Sequence, residues 1–218
     1  MNWAAATACG NRYDGKTKCN YFSYGQAEIE YLRHCDRKLG RVIDDIGIIE
    51  RQVTPDLFMA LVKNIVAQQI SRKAADTVWS RLCDKFVEIT PHSIAGAHVS
   101  AIQKCGLSMR KAGYIKGIGE ATVCGELNLL ELNEMPDNEI IKRLSSLRGI
   151  GVWTAEMLLI FSLCRPDVVS WGDLAIRHGM MNLYGLKELT KEQFDRYRKR
   201  YSPCGSVASL YLWALSVK

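Results

Sequence analysis

The sequence predicts an all-α fold. Apolar residues recur every three or four positions through most segments after about residue 26. Residues that open helices stand at the starts of those segments. Alternating, strand-like runs of five or more residues are hard to find. Together these give about ten short helices joined by short loops.

The elements follow in order along the chain. Residues 1–25 are rich in Ala, Gly, Asn and Tyr without periodicity, and read as an irregular arm packed on the domain. Ile29, Leu32, Cys35 and Leu39 mark an amphipathic helix. Thr54-Pro55-Asp56 opens the next, with proline in the first turn where its missing N–H costs nothing. That helix runs through Leu57, Leu61, Ile65 and Val66 to Gln69. Ser71 caps a helix carrying Ala75, Val78, Trp79 and Leu82. Pro91 and Pro136 each start another. Residues 152–163, 173–184 and Ser202 to Val217 also read as helical. Ile115-Lys116-Gly117-Ile118-Gly119 fits either a hairpin or a glycine-weakened helix continuing from Arg110, and the helix is preferred.

Composition narrows the class. The chain has 218 residues, is 48% hydrophobic, and has a formal net charge of +6. That is enough chain to bury a core, and it excludes a disordered or collagen-like protein. No apolar run approaches the ~18 residues needed to span a membrane. The mild positive excess fits nucleic acid or acidic partners without establishing them. Lys191 to Arg200 carries five bases against two acids and reads as a solvated helix face. Met1 to Cys9 lacks the basic start and the length of a signal peptide, and lipidation at Cys9 is not expected.

Eight cysteines suggest metal or disulfides, but their spacing does not. No C-x2-C pair occurs, so they read as scattered reduced thiols. Gly10 to Thr17 satisfies G-x4-G-K-[ST]. A phosphate loop needs a preceding strand and a following helix, and the flanking residues supply neither. This segment reads as a surface loop.

Chemistry concentrates in residues 137–163. A helix ends at Leu147, Gly149 and Gly151 make a tight connection, and a second helix begins at once. Two helices joined by L-x-G-x-G form a helix–hairpin–helix. Its glycines let the turn approach another backbone, and the free amides of the second helix point at an anion. A DNA phosphate is the natural guest, bound without reading a base. An ordinary helix–helix turn with glycine at the C-cap fits the same residues.

The segment Leu147-Arg-Gly-Ile-Gly-Val-Trp-Thr-Ala is followed by Arg165-Pro-Asp-Val and then Gly172-Asp173-Leu174. With Asn64 to Ala75, Cys105 to Ile115 and Ser206 to Trp213, this resembles the HhH-GPD superfamily of DNA glycosylases. More narrowly it resembles the 3-methyladenine DNA glycosylase II, or AlkA-type, branch. The likeness covers about residues 26–218, in order.

The resemblance implies specific roles. Asp173 matches the catalytic aspartate, whose carboxylate stabilises an oxocarbenium-like sugar. An aspartate at that position is also a favoured helix N-cap, and one residue can do both. Trp153 stands where bifunctional relatives carry a Schiff-base lysine, which implies a monofunctional enzyme. Trp153, Met157 and Cys204 would line the base pocket, although Met157 and Cys204 replace aromatics of a better-known relative. Gln68, Gln69 and Ile70 match the region that plugs the gap left by a flipped nucleotide, with Gln69 at the intercalating position. Gly149, Gly151 and Arg148 would meet phosphate. Arg177, one turn after Asp173, would orient the carboxylate, contact DNA or form an i,i+4 ion pair. Carbonyls of Ser145, Leu147 and Ile150 would hold a monovalent cation. Only Cys204 follows Cys164, so the iron–sulfur cluster of some members is not expected, and no cofactor is required.

The implied architecture is two helical lobes flanking a cleft. Residues 54–150 would form a central bundle leading into the hairpin, and 26–53 with 151–218 the other lobe. The implied activity is excision of alkylated purines, 3-methyladenine and 7-methylguanine, from double-stranded DNA by a monomer. A glycosylase for oxidised or deaminated purines is one alternative, and a non-catalytic helix–hairpin–helix DNA-binding protein another. The expected location is cytoplasmic, on the nucleoid, or nuclear in a eukaryote.

Overall fold

A computed structural model describes residues 21–217. Among the described residues are twelve α-helices and one short 3-10 turn, with no strand beyond an isolated antiparallel bridge between Tyr21 and Gln52. The all-α expectation holds. The Gly10–Thr17 motif and most of the N-terminal arm lie outside the described residues. Packing divides the described chain into two units. One comprises 21–57, 133–146 and 150–217, and the other 58–132 and 147–149.

The larger unit begins with α1 (Gln26–Cys35) and α2 (Arg37–Ile46). The stripe from Ile29 to Leu39 is therefore two helices rather than one. The break is Asp36, whose backbone is extended and whose carboxylate accepts the amides of Lys38 and Leu39 at 3.0 and 3.1 Å. Its other oxygen accepts the Tyr184 hydroxyl at 2.5 Å and Arg200 Nη1 at 3.1 Å. A buried carboxylate needs such partners, and here they come from three elements.

The unit continues with α8 (Asp137–Ser145), α9 (Val152–Phe161) and α10 (Leu174–Tyr184). It ends with α11 (Lys191–Tyr201) and α12 (Gly205–Leu215). The charged run is α11, and it is not wholly solvated: Phe194, Tyr197 and Tyr201 face inward. Helix α12 is buried along nearly its whole length. Gly179 of α10 lies so close to it that a Cβ there would stand 1.9 Å from the Leu212 carbonyl oxygen. No other residue type fits that crossing. This contact seats the helix that begins at Asp173.

The smaller unit holds α3 (Leu57–Ala67) from Phe58 onward, α4 (Arg72–Lys85), α5 (Pro91–Gly96), α6 (Val99–Gln103) and α7 (Met109–Val123). Leu61, Ile65, Leu82, Ile94, Ile102 and Ile115 form its core. Ser71 caps α4, Thr90 caps α5 with Pro91 in its first turn, and Ser108 caps α7. Residues 115–119 lie within α7, as the helical reading preferred, with Gly119 against Ile94 of α5.

Candidate active site

The site starts from a helix that is apolar nearly all round. Thr154, Ala155 and the run from Met157 to Ile160 of α9 are buried, so its neighbours hold it fast. The exception is its first turn, which follows Gly151 directly and leaves Trp153 37% exposed. Asp173 is the N-cap of α10, as the sequence predicts. Its Oδ1 accepts the Ile176 amide at 2.9 Å. Its Oδ2 accepts the Trp153 indole N–H, also at 2.9 Å.

Asp173 is 7% exposed and has one donor on each carboxylate oxygen. Each oxygen keeps a further lone pair. The carboxylate is thus fixed in direction without being saturated. A preorganised negative charge of this kind stabilises a positive charge developing beside it, with no reorganisation at the moment of reaction. The indole contributes its N–H edge to the carboxylate, and the residue stays partly open to solvent.

Arg177 makes no ion pair with Asp173 among the described residues, so the sequence-based i,i+4 pair is not formed. Its guanidinium lies over the Trp171 ring, 4.5 Å from the centroid. The ring face attracts the cation, while the buried Arg177 Nε has no hydrogen-bond acceptor among the described residues. Met157 is buried one turn beyond Trp153 on α9. Cys204 is buried at the start of α12, and burial pushes its thiol up, helped by Glu28, Asp167 and Cys35. The structure therefore joins Trp153 to Asp173 and sets Cys204 in other company.

In the smaller unit, two turns are tied together. Gln68 Nε2 donates to the Gly149 carbonyl oxygen at 2.7 Å. Gln68 thus spends its amide on the hairpin turn, leaving Gln69 and Ile70 exposed beyond it. Gln69 has φ 57°, a left-handed conformation that is uncommon outside glycine. Lys111 holds that conformation in place: its Nζ donates to the carbonyls of Val66 at 3.0 Å and Gln68 at 2.5 Å. Burial lowers the Lys111 amine from its ordinary value, with the charge of Arg110 adding to the effect.

Gly149 has φ 90°, and a Cβ on it would lie 2.4 Å from the Tyr114 ring. The turn therefore requires glycine twice over, for its backbone and for its neighbour. Arg148 beside it is exposed. The carbonyls of Ser145, Leu147 and Ile150 accept no hydrogen bond among the described residues. Free carbonyl oxygens are suitable donors to a hard cation. Among the described residues no group of three or more His, Cys, Asp or Glu could hold a metal.

Four contributors carry no role in the sequence reading. Lys111 and Tyr114 lie within the Cys105–Ile115 segment, where only their order in the chain stands out. Glu156 and Ser170 are joined by a hydrogen bond across 14 residues that no local pattern encodes.

The chain is similar in sequence and fold to known DNA-repair proteins. A DNA-3-methyladenine glycosylase 1 of Schizosaccharomyces pombe is 37% identical over 161 residues, covering 72% of this chain and 71% of that protein. A crystal structure of a Bacillus halodurans DNA-3-methyladenine glycosidase superposes with a TM-score of 0.81 at 34% identity, covering 90% of this chain and 92% of that one. A Schizosaccharomyces pombe 3-methyladenine DNA glycosylase in complex with abasic DNA gives a TM-score of 0.73 at 31% identity, over 86% and 95% of the two chains. Residues 62–204, well over half of the sequence, match the family model, and the chain belongs to the HhH-GPD superfamily of base excision DNA repair proteins.

Proposed function

We propose that this protein is a monofunctional DNA glycosylase that removes alkylated purines from double-stranded DNA. The observation that carries the reading is the Asp173 carboxylate, buried at a helix N-terminus and aimed by the Trp153 indole. In this reading a flipped 3-methyladenine or 7-methylguanine stacks on the partly exposed Trp153. Such bases are cationic, and a π-face attracts a cation. Their charge already weakens the bond to the sugar, so modest electrostatic help is enough. Flipping is also cheaper for a damaged base than for a sound one.

The steps then follow. The C1′–N bond breaks, and its electron pair leaves with the base, which becomes neutral without needing a general acid. Asp173 stabilises the oxocarbenium ion. Water adds to C1′ and its proton passes to solvent, leaving an abasic site. The segment from Leu147 to Asp173 contains no lysine, which supports hydrolysis over an imine route.

We assign Gln69 and Ile70 to the gap left in the duplex, and the amides of Gly149 and Gly151 with Arg148 to phosphate. The carbonyls of Ser145, Leu147 and Ile150 are assigned to a monovalent cation, which when bound would offset phosphate charge. No helix among the described residues is long and apolar enough to cross a membrane, and we place the protein's work wherever genomic DNA is held.

The deciding experiment measures release of 3-methyladenine and 7-methylguanine from methylated duplex DNA. The parent chain is expected to release both, and Asp173→Asn neither, while still binding abasic-site DNA. An asparagine that excises at the parental rate would remove the assignment. Release of oxidised purines alone would move the substrate elsewhere in the superfamily.

A further inference from the structure

Helix α9 holds the catalytic loop at two points. Trp153 meets Asp173 at one end. At the other, Glu156 Oε2 accepts a hydrogen bond from Ser170 Oγ at 2.5 Å. The two helix residues are three apart, and so are the two loop residues. Positions i and i+3 share a helix face, so one face of α9 grips both ends of the stretch from Ser170 to Asp173.

Several observations set this pair apart from an incidental contact. Ser170 is fully buried, and Glu156 interrupts an otherwise buried apolar stretch of α9. A carboxyl there carries a desolvation cost that a nonpolar residue would not. Burial raises the Glu156 carboxyl above the usual range. The Ser170 hydrogen bond and the Arg198 guanidinium act the other way, and the Asp173 charge pushes it up again. Glu156 therefore lies within the electrostatic reach of Asp173.

We propose that Glu156 is a positioning residue for base excision: through Ser170 it fixes the loop that aims the Asp173 carboxylate at the sugar. This rests on the reading of Asp173 as the group that faces C1′. A carboxylate displaced by even a fraction of an ångström loses much of its preorganised effect, so freeing one end of the loop slows chemistry more than binding.

The test compares single-turnover release of 7-methylguanine with equilibrium binding of an abasic-site duplex. Glu156→Ala and Ser170→Ala are each expected to slow release roughly tenfold or more, with affinity within about twofold of the parent. Glu156→Gln keeps an acceptor for the Ser170 hydroxyl and should bring the rate back to within about threefold. The double alanine variant should be no slower than the slower single one, because both remove the same hydrogen bond. Release by Glu156→Ala at the parental rate overturns the proposal. So do losses that multiply in the double variant, a glutamine variant as slow as the alanine, or affinity that falls in step with rate. Should Glu156→Ala fail to fold, Ser170→Ala and Glu156→Gln make the same comparison. A parent chain inactive on methylated DNA overturns the glycosylase reading itself, whereas an active parent with an unimpaired Glu156→Ala overturns only the role of Glu156.

Discussion

The indole N–H of Trp153 and the carboxylate of Asp173 are joined by a 2.9 Å hydrogen bond across 20 residues of sequence. The bond links the first turn of one helix to the N-cap of another. It gives the aspartate a direction that capping alone does not. Asp173→Asn should keep the cap, because asparagine is as good an N-cap, and lose excision by more than about a hundredfold. Trp153→Phe keeps an aromatic face and loses the donor. A hydrogen bond to a charged group contributes about 1.5–3 kcal/mol, so the excision rate should fall by roughly ten- to a hundredfold. Single-turnover kinetics checks both. A phenylalanine variant at the parental rate would show that the bond does not aim the carboxylate.

No covalent trapping is expected. Trp153 cannot form an imine, and the reaction product should be an intact strand carrying an abasic site. Borohydride added during turnover should leave protein and DNA unlinked, and strand breaks should appear only after alkali. A trapped adduct would require a lysine from elsewhere in the chain to reach the sugar.

The hairpin turn is the most constrained backbone in the smaller unit. Gly149→Ala meets both a positive φ and the Tyr114 ring. The cost should be about 1–3 kcal/mol, seen as a lower melting temperature. Abasic-site affinity should fall with it, as phosphate amides lose their positions. Gln68→Ala removes the donor to the Gly149 carbonyl and should weaken DNA binding with a smaller thermal effect. Unchanged affinity in both variants would dissociate these turns from DNA.

Glu156 gives stability a pH dependence of known sign. Burial holds its carboxyl above the ordinary range in the folded state. The protonated form therefore favours folding. That contribution is complete below the unfolded value of about 4.3 and is lost as pH rises through the higher folded value. Glu156→Gln cannot ionise. The melting temperature of Glu156→Gln minus that of the parent should therefore increase between about pH 4 and pH 8. A difference that is flat or falls with pH would contradict the assigned direction.

Asp36 should matter to stability and not to chemistry. It caps α2 and accepts both the Tyr184 hydroxyl and Arg200. Asp36→Ala removes the acceptor of two amides and of Arg200 and leaves the half-buried Tyr184 hydroxyl with Tyr201 alone, at a cost of about 2–4 kcal/mol. Thermal unfolding measures the loss, while excision per folded molecule should stay at the parental level.

The sequence by itself determined the helical class, the helix–hairpin–helix and the place of Asp173 at the start of a helix. Those features are local. A 3–4 residue period, a capping side chain and a pair of glycines each act within a turn or two of the chain. The same local logic missed the break at Asp36, because an apolar stripe continues smoothly across a capped junction. Tertiary structure alone decided what each site residue touches. Trp153 meets Asp173 20 residues away, Glu156 meets Ser170 14 away, and Gln68 meets Gly149 81 away. Arg177 shows the same thing in reverse: its spacing from Asp173 suits an ion pair, yet the Trp171 ring takes the guanidinium. Partners like these are fixed by which helix faces pack together, and that depends on the whole core rather than on the residues that use it.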